Sequence, residues 1–208
     1  MTVRTARADA SATLLGTLTA GASLDRPIQV AAVFFMTALT AAAAQVSVPL
    51  PFTPVPFTLT PMIVLLGGAA LGSRLGMASQ VLYLLLGIAG LPVFAPSPVL
   101  PQGVLRLLGP TGGYLMSYPF AAFVAGALAE RGFDRRYLTS VLAMAAGLAV
   151  IFAFGVTWLA FFARPAAAGL DAALRTGLYP FVPADLVKVC MAAGVMPGVW
   201  WLLGRRQA

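Results

Sequence analysis

The chain has 208 residues, of which 60% are hydrophobic and only 9% are charged, and its mean hydropathy is +0.92. Because a soluble domain usually carries about a quarter charged residues, this composition excludes a water-soluble globular protein and indicates an integral membrane protein. The absence of His excludes His-based catalysis and His-ligated metal sites. The net charge of +7 comes from basic residues that flank apolar segments, so no nucleic-acid partner is predicted.

The chain begins with a polar stretch, and the first apolar segment follows it. Residues 1–26 are small and polar with scattered charges, and they predict a leader outside the membrane. Residues 28–46 carry no charge and, at about 1.5 Å per residue, can cross about 30 Å of hydrocarbon as a helix. The next stretch, SVPLPFTPVPFTLTP, predicts an extended loop, because proline has no N–H donor and restricts the residue before it.

Two short apolar segments come next, with Gly72-Ser73-Arg74 between them, and they predict a tight helical hairpin. Residues 91–110 are proline-rich and loop-like, while the charged residues 130–136 and a loop with weak helical character over 164–180 separate the remaining apolar segments. The predicted spans are about 28–46, 59–72, 75–90, 112–129, 137–163 and 182–204. The predicted fold class is therefore an all-α integral membrane protein, a six-transmembrane-helix bundle over residues 27–208.

The positions of the basic residues predict the orientation of this bundle. With the N-terminus in the cytoplasm, the Arg residues on the inside are Arg4, Arg7, Arg26, Arg74, Arg131, Arg135, Arg136, Arg205 and Arg206. On the outside are only Arg106, Arg164 and Arg175, and Lys188 lies within a span. Because cytoplasmic loops are enriched in Lys and Arg, both the N- and C-termini, and with them the leader 1–26, are predicted to be cytoplasmic.

The sixth predicted span contains two charges, Asp185 and Lys188, in the sequence FVPADLVKVCMAAG. Their spacing of three residues places them on one face of a helix. A charge at the bilayer centre costs about 2.5–3.5 kcal/mol on insertion scales, so such residues face the bundle interior or an aqueous cavity. The pair is a candidate site for a polar ligand. The alternatives are a structural ion pair near a helix end and a Lys that extends to the membrane interface.

Arg106 lies in an otherwise uncharged segment, VLRLLGPTGGYL, on the predicted outer side. Its guanidinium can bind a carboxylate through two hydrogen bonds, although an ordinary loop arginine explains the pattern equally well. The glycines before the fourth span, Gly112 among them, can bring backbone donors close to a ligand at a helix N-terminus, or they simply form a turn. No Gly-Lys-Ser/Thr of a phosphate-binding loop follows them, so this chain is not expected to hydrolyse ATP by that mechanism.

Aromatic and small residues supply further candidates. Tyr83, Phe94 and Tyr114 lie in or near the outer loops and can line an apolar pocket, or they can belong to an interfacial aromatic belt. Ala38 and Ala42 form a small-xxx-small pattern on the first span. Such a pattern allows close helix approach, either inside the bundle or against another membrane subunit.

Several segments together resemble the BioY family. They are SVPLPFTPVPFTLTP, LLGGAALGSRLGMASQVLYLLLGIAGLPVFA, LLGPTGGYLMSYPFAAFVAGALAERG and FVPADLVK, in this order from about residue 28 to the end. BioY proteins are biotin-binding S components of energy-coupling factor (ECF) transporters. The resemblance implies a six-helix bundle in the cell inner membrane that captures biotin on the outer side and delivers it across.

The resemblance also implies partners and site residues. The first span is expected to dock through an AxxxA face, either Ala38 and Ala42 or Thr37 and Ala41, onto a transmembrane coupling subunit. Two cytoplasmic ATPases are expected to drive that subunit, so ATP is used by the partners and no cofactor is expected in this chain. Whether this chain also transports without the ATPases stays open. The implied substrate-binding residues are Arg106, Asp185, Lys188 and Tyr114, and the further candidates are Gly112, Tyr83, Phe94 and Thr53, the last in a proline-rich loop that can close as a lid.

Three alternatives stay open at this point. The first is an S component for another vitamin, and the second is a structural membrane subunit, in which Asp185 and Lys188 pair only with each other. The third is an intramembrane enzyme. The sequence has no His, no paired catalytic carboxylates and no nucleophile–base pair, so no enzymatic activity is predicted.

Overall fold

The computed structural model describes residues 13–19, 25–97, 102–163 and 169–205. Helices account for most of these residues, and a short 3₁₀ turn covers Phe133–Arg135. The helices are α1 (Leu14–Thr19), α2 (Asp25–Gln45), α3 (Thr60–Leu71), α4 (Ser73–Ile88), α5 (Val104–Leu108), α6 (Gly112–Ala129), α7 (Tyr137–Phe161), α8 (Leu170–Gly177) and α9 (Val182–Arg205).

The first proline-rich loop folds back on itself between α2 and α3. Strand β1 (Ser47–Val48) pairs antiparallel with β2 (Phe57–Thr58), so that Ser47 lies opposite Thr58 and Val48 opposite Phe57. The prolines between the two strands prevent a longer ladder, because each removes a backbone donor. The loop therefore stays close to the ends of α2 and α3 instead of extending away from the bundle.

Helix α6 occupies the centre of the bundle and packs against α3, α4 and α7. In the second half of α6 the buried residues are all small, and Ala121, Ala122 and Ala125 among them are fully buried. Small residues let helix backbones approach closely. Such close packing matters in a membrane, where the hydrophobic effect does not drive helices together. Helices α7 and α9 also pack against each other, while α2 lies at the edge of the bundle and packs mainly against α3 and α4.

The turn between α3 and α4 is fixed by a side chain from the far end of α6. Gly72 has a φ of 88°, a conformation that favours glycine. The backbone N–H and the hydroxyl of Ser73 both donate to Oε1 of Glu130, at 2.7 and 2.8 Å. The first bond satisfies a backbone N–H at the start of α4 that has no partner within the helix. Together the two bonds place the α3–α4 turn beside the α6–α7 turn, at one end of the molecule.

Four helices of the described residues are long and apolar enough to cross a membrane: Arg26–Gln45, Gly112–Ala129, Tyr137–Phe161 and Val182–Leu203. Helices α3 and α4 are apolar but shorter. Each of the six predicted spans thus coincides with a helix, and several apolar helices indicate a multi-pass membrane protein. Of the basic residues counted for orientation, Arg4, Arg7, Arg164 and Arg206 lie outside the described residues.

The structure adds helices α1 and α5 to regions that the sequence left without regular structure, and it forms helix α8 in a loop for which only weak helical character was predicted. Helix α1 lies in the polar leader, most of which is outside the described residues, and α5 lies in the second proline-rich loop. Helix α8 lies in the loop before α9 and carries an exposed Asp171–Arg175 ion pair of 3.0 Å. All three are shorter than the segments that hydropathy detects, which explains why the sequence pattern did not separate them from loops.

Candidate functional site

A cavity of about 720 Å³ opens at the end of the bundle where α6 and α9 begin. Its walls come from the hairpin loop between α2 and α3, the second proline-rich loop, and the first turns of α6 and α9. The volume lies within the range of about 300–1,000 Å³ typical of small-molecule sites. The predicted site residues that line it are Thr53, Tyr83, Phe94, Arg106, Tyr114, Asp185 and Lys188.

Asp185 and Lys188 lie in the first turns of α9, and both are buried, with exposed fractions of 5% and 7%. The Lys188 Nζ lies 2.7 Å from Oδ1 of Asp185 and donates to the Thr58 carbonyl at 2.6 Å. The same ammonium lies 3.5 Å from the centre of the Phe57 ring, which is a cation–π contact. Lys188 therefore pairs with more than Asp185, and it joins α9 to strand β2 of the hairpin loop.

Arg106 lies on α5 and is 4% exposed. Its guanidinium donates to the carbonyl of Ala95, a residue that also lines the cavity. Burial lowers the pKa of Arg106 from its ordinary value, but an arginine stays protonated at neutral pH. The cavity thus has a buried, permanently positive group in its wall, which is the chemistry that a carboxylate ligand requires.

Tyrosines form the wall between these charged groups. Tyr83 is fully buried, with its ring edge-on to Phe94 at 5.4 Å and 6.4 Å from the ring of Tyr118. Arg106 reaches this wall at the Ala95 carbonyl, next to Phe94 and the Tyr83 ring, whereas Asp185 enters the cavity from α9, beside Lys188 and the Thr58 carbonyl. This arrangement places Arg106 toward one end of the tyrosine wall and Asp185 toward the other.

The hydroxyl of Tyr83 is buried and has no hydrogen-bond partner within the described part of the chain. A buried hydroxyl without a partner costs about 1–3 kcal/mol, so this donor is suited to a ligand in the cavity. Tyr118 was not among the predicted site residues. Its signal was present in the sequence, since Tyr118 follows Tyr114 by four residues and therefore shares its face of α6.

Three predicted residues make specific contacts inside the protein. The Tyr114 hydroxyl donates to the Gly177 carbonyl at 2.7 Å, and the Thr53 hydroxyl donates to the Thr176 carbonyl at 2.6 Å. Both bonds reach the end of α8, so this short helix holds two residues of the cavity wall in place. Gly112 does not line the cavity. A Cβ at Gly112 would lie 1.7 Å from the Leu107 carbonyl oxygen, so the glycine allows the loop to pack closely against α6.

Trp158 was not among the predicted site residues, but it holds part of the cavity wall in place. Its indole Nε1 donates to the Gly109 carbonyl at 2.9 Å. Gly109, Pro110 and Thr111 line the cavity, so Trp158 holds this turn in place from α7. The sequence alone does not identify this contact, because the two residues are 49 positions apart.

The small residues of α2 face two different directions. Ala38 and Ala42 are exposed. Thr37 is buried and donates to the Ser79 carbonyl at 2.9 Å, and Thr40 is buried and accepts from Gln80 Nε2 at 3.2 Å. The Thr37 side of the helix therefore packs against α4, whereas the Ala38 and Ala42 side lies on the surface of this chain.

Comparison with known proteins identifies the family of this chain. A model described as the BioY family matches residues 12–205. The chain belongs to the BioY family. The matched region contains all the described residues, and with them the charged and aromatic residues that line the cavity.

Relatives of this BioY family member carry names that agree with the match. A protein of Pyrococcus horikoshii named "Probable biotin transporter BioY" is 42% identical over 79% of this chain and 91% of its own length. The "Biotin transporter BioY" of Thermotoga maritima is 40% identical over 76% of this chain and 86% of its own length. A crystal structure of the S-component for biotin from an ECF-type ABC transporter superposes with a TM-score of 0.75 at 25% identity, covering 85% of this chain and 93% of the other.

Proposed function

We propose that this chain is the biotin-binding S component of an ECF-type transporter, and that it takes up biotin across the cell inner membrane. The observation that carries the proposal is the cavity, in which Arg106 and the Asp185–Lys188 pair meet apolar and aromatic walls in a member of the BioY family. The family is one of transporter components, so no enzymatic activity is assigned to the chain. A purely structural membrane subunit would not need a cavity lined by buried charged residues.

The chemistry of biotin matches this inventory. Its ureido ring offers two N–H donors and one carbonyl acceptor, and its valerate chain ends in a carboxylate. Asp185 is suited to accept a ureido N–H, and Lys188 to donate to the ureido carbonyl. Arg106, toward the other end of the tyrosine wall, is suited to bind the valerate carboxylate. The apolar rings and chain of the ligand then lie against Tyr83, Phe94 and their neighbours, as in other mostly apolar sites with a few placed polar groups.

The proposed orientation places both termini in the cytoplasm and gives the chain six membrane spans. Arg74 follows the α3–α4 turn, which the Ser73–Glu130 bonds join to the α6–α7 turn with Arg131, Arg135 and Arg136. These basic residues lie at the end of the bundle remote from the cavity, where the positive-inside rule expects the cytoplasm. The cavity then opens on the outer side, where biotin is captured.

Partners supply the energy in this proposal. The exposed face with Ala38 and Ala42 is suited to dock onto a transmembrane coupling subunit, because small side chains let two membrane helices approach closely. Two cytoplasmic ATPases bind and hydrolyse ATP for that subunit, and this chain needs no cofactor of its own. The solved structure to which it is similar is named as part of such an ABC transporter.

The decisive experiment uses the purified, full-length protein. Mass spectrometry of the small molecules released on denaturation should detect biotin, and titration calorimetry of ligand-depleted protein should give a saturable biotin isotherm. The primary amide of biotin should bind at least about tenfold more weakly, because a neutral amide cannot form the charge-assisted hydrogen bonds that a carboxylate forms with Arg106. Thiamine, a vitamin that carries a positive charge, serves as the control ligand. Absence of biotin binding, or equal binding of thiamine, would overturn the proposed function.

A further inference from the structure

Residues 91–97, called here the Phe94 segment, form one wall of the cavity through Phe94, Ala95 and their neighbours. Phe94 is 1% exposed and lies directly against Gly87 of α4. A Cβ at position 87 would lie 2.0 Å from the Phe94 ring, so glycine is the residue that lets the ring enter this space. The ring is thereby fixed on the side of the segment that faces the bundle.

Two glutamine side chains hold the backbone of the same segment from outside the cavity. The Phe94 carbonyl accepts from Gln45 Nε2 at 3.3 Å and from Gln102 Nε2 at 3.2 Å. Gln45 Nε2 also lies 3.2 Å from the Pro92 carbonyl. A carbonyl oxygen has two lone pairs, so the Phe94 carbonyl can accept from both glutamines.

The held carbonyl is adjacent in the chain to the acceptor of Arg106. Arg106 donates to the carbonyl of Ala95, and Ala95 directly follows Phe94. A shift of the Phe94 carbonyl would therefore move the acceptor that orients the guanidinium. Neither glutamine lines the cavity, so any effect of these residues on a ligand is transmitted through the Phe94 segment.

We infer that Gln45 and Gln102 are positioning residues of the binding site, which hold the Phe94 segment so that Arg106 and the aromatic wall are in place before a ligand enters. This inference rests on the proposed binding function. Gln45 is the last residue of α2, the helix whose outer face carries Ala38 and Ala42. The contact therefore also ties the position of the cavity wall to the position of α2. Pre-organisation of this kind raises affinity by reducing the ordering cost of binding.

The test replaces Gln45 by Met, which has a similar length but no N–H donor. The exchange of the backbone amides of Leu91 and Val93, which donate to the Leu86 and Leu91 carbonyls, is measured in ligand-free protein by hydrogen–deuterium exchange. Loss of the hydrogen bonds from Gln45 to the Pro92 and Phe94 carbonyls should accelerate the exchange of these two amides by up to about tenfold. It should accelerate the dissociation of biotin by a similar factor. Gln102→Met should give the same pattern.

The matched control is Gln29→Met, on the same helix and remote from Gln45, which should leave both rates unchanged. Gln45→Arg retains N–H donors and should restore most of the slow exchange. Unchanged exchange in Gln45→Met, equal acceleration in Gln29→Met, or faster exchange with unchanged biotin dissociation would each overturn the inference. Failure of the wild-type protein to bind biotin would instead overturn the proposed function, and the exchange data would still show whether Gln45 holds the segment.

Discussion

At the scale of single residues, Asp185 and Lys188 illustrate how stability and binding can be separated. Breaking a buried ion pair by removing one partner costs about 3–5 kcal/mol, whereas replacing both partners by apolar residues is often neutral. Lys188 has a further partner in the Thr58 carbonyl, but Asp185 relies on Lys188 to balance its charge. Removing one charge of the pair should therefore destabilise the protein, and removing both should not. Ligand binding, in contrast, should be lost whenever the charges are removed.

Replacing Lys188 by Met should lower the free energy of unfolding by about 3 kcal/mol or more, because it leaves the buried Asp185 carboxylate without a counter-charge. The double variant Asp185→Leu with Lys188→Met should recover most of that stability but should not bind biotin. Thermal unfolding in detergent and titration calorimetry provide the two measurements. Wild-type biotin affinity in the double variant would show that the pair is structural and that the ligand binds elsewhere.

The sequence could predict only part of this local arrangement. The spacing of Asp185 and Lys188 indicated a shared helix face, and the structure confirms their contact at 2.7 Å. The bond from Lys188 to Thr58 joins residues 130 positions apart, and no periodic pattern encodes such a pairing. The same holds for the two glutamines, whose acceptors are backbone carbonyls and therefore independent of side-chain identity.

At the scale of elements, the 3₁₀ turn between α6 and α7 is joined to the last part of α9 by a buried carboxylate. Asp134 is 1% exposed and accepts a hydrogen bond of 2.6 Å from Trp200 Nε1, while Arg135 lies over the Trp200 ring at 4.4 Å. The other oxygen, Oδ1 of Asp134, is buried without a partner in the described part of the chain. Burial is the main cause that raises the pKa of Asp134 above its ordinary value.

This raised pKa predicts a pH dependence of stability. Because the folded state holds the proton of Asp134 more tightly than the unfolded state, stability should fall as pH rises from the unfolded pKa of about 3.9 through the higher folded pKa. Asp134→Asn keeps an acceptor for Trp200 and cannot ionise. Its melting temperature minus that of the wild type should therefore increase between about pH 4 and pH 7. A difference that stays constant with pH, or that decreases, would contradict this assignment.

The elements themselves were largely predictable, with a clear physical limit. Long uncharged segments such as 28–46 and 137–163 predicted α2 and α7, because a membrane span must satisfy its own backbone hydrogen bonds. Helix α8 was predicted only as weak helical character within a loop, since its LDAALRTG sequence is short and near neutral in hydropathy. Its importance comes from its backbone carbonyls at Thr176 and Gly177, which receive the hydroxyls of Thr53 and Tyr114.

At the scale of the whole molecule, the short helix α3 and the proline-rich hairpin loop before it complement each other. Helix α3 has 12 residues and is therefore only about 18 Å long at 1.5 Å per residue, less than the hydrocarbon core of about 30 Å. The hairpin loop that precedes α3 lines the cavity. Irregular backbone is tolerated at membrane depth where protein or a water-filled cavity surrounds it. In the proposed six-span arrangement, the loop provides both the remaining length of the α3 span and one wall of the proposed binding site.

This arrangement predicts that the two ends of α3 lie on opposite sides of the membrane, although α3 alone is too short to cross it. In a Cys190→Ser background, which removes the native thiol, Phe52→Cys should react with a membrane-impermeant maleimide in intact cells because Phe52 is exposed on the hairpin loop. Arg74→Cys, at the exposed α3–α4 turn, should react only after the membrane is permeabilised. Labelling of both thiols after lysis is the control for accessibility. Equal labelling of the two positions in intact cells would show that α3 does not cross, and the opposite pattern would invert the proposed orientation and move the cavity to the cytoplasmic side.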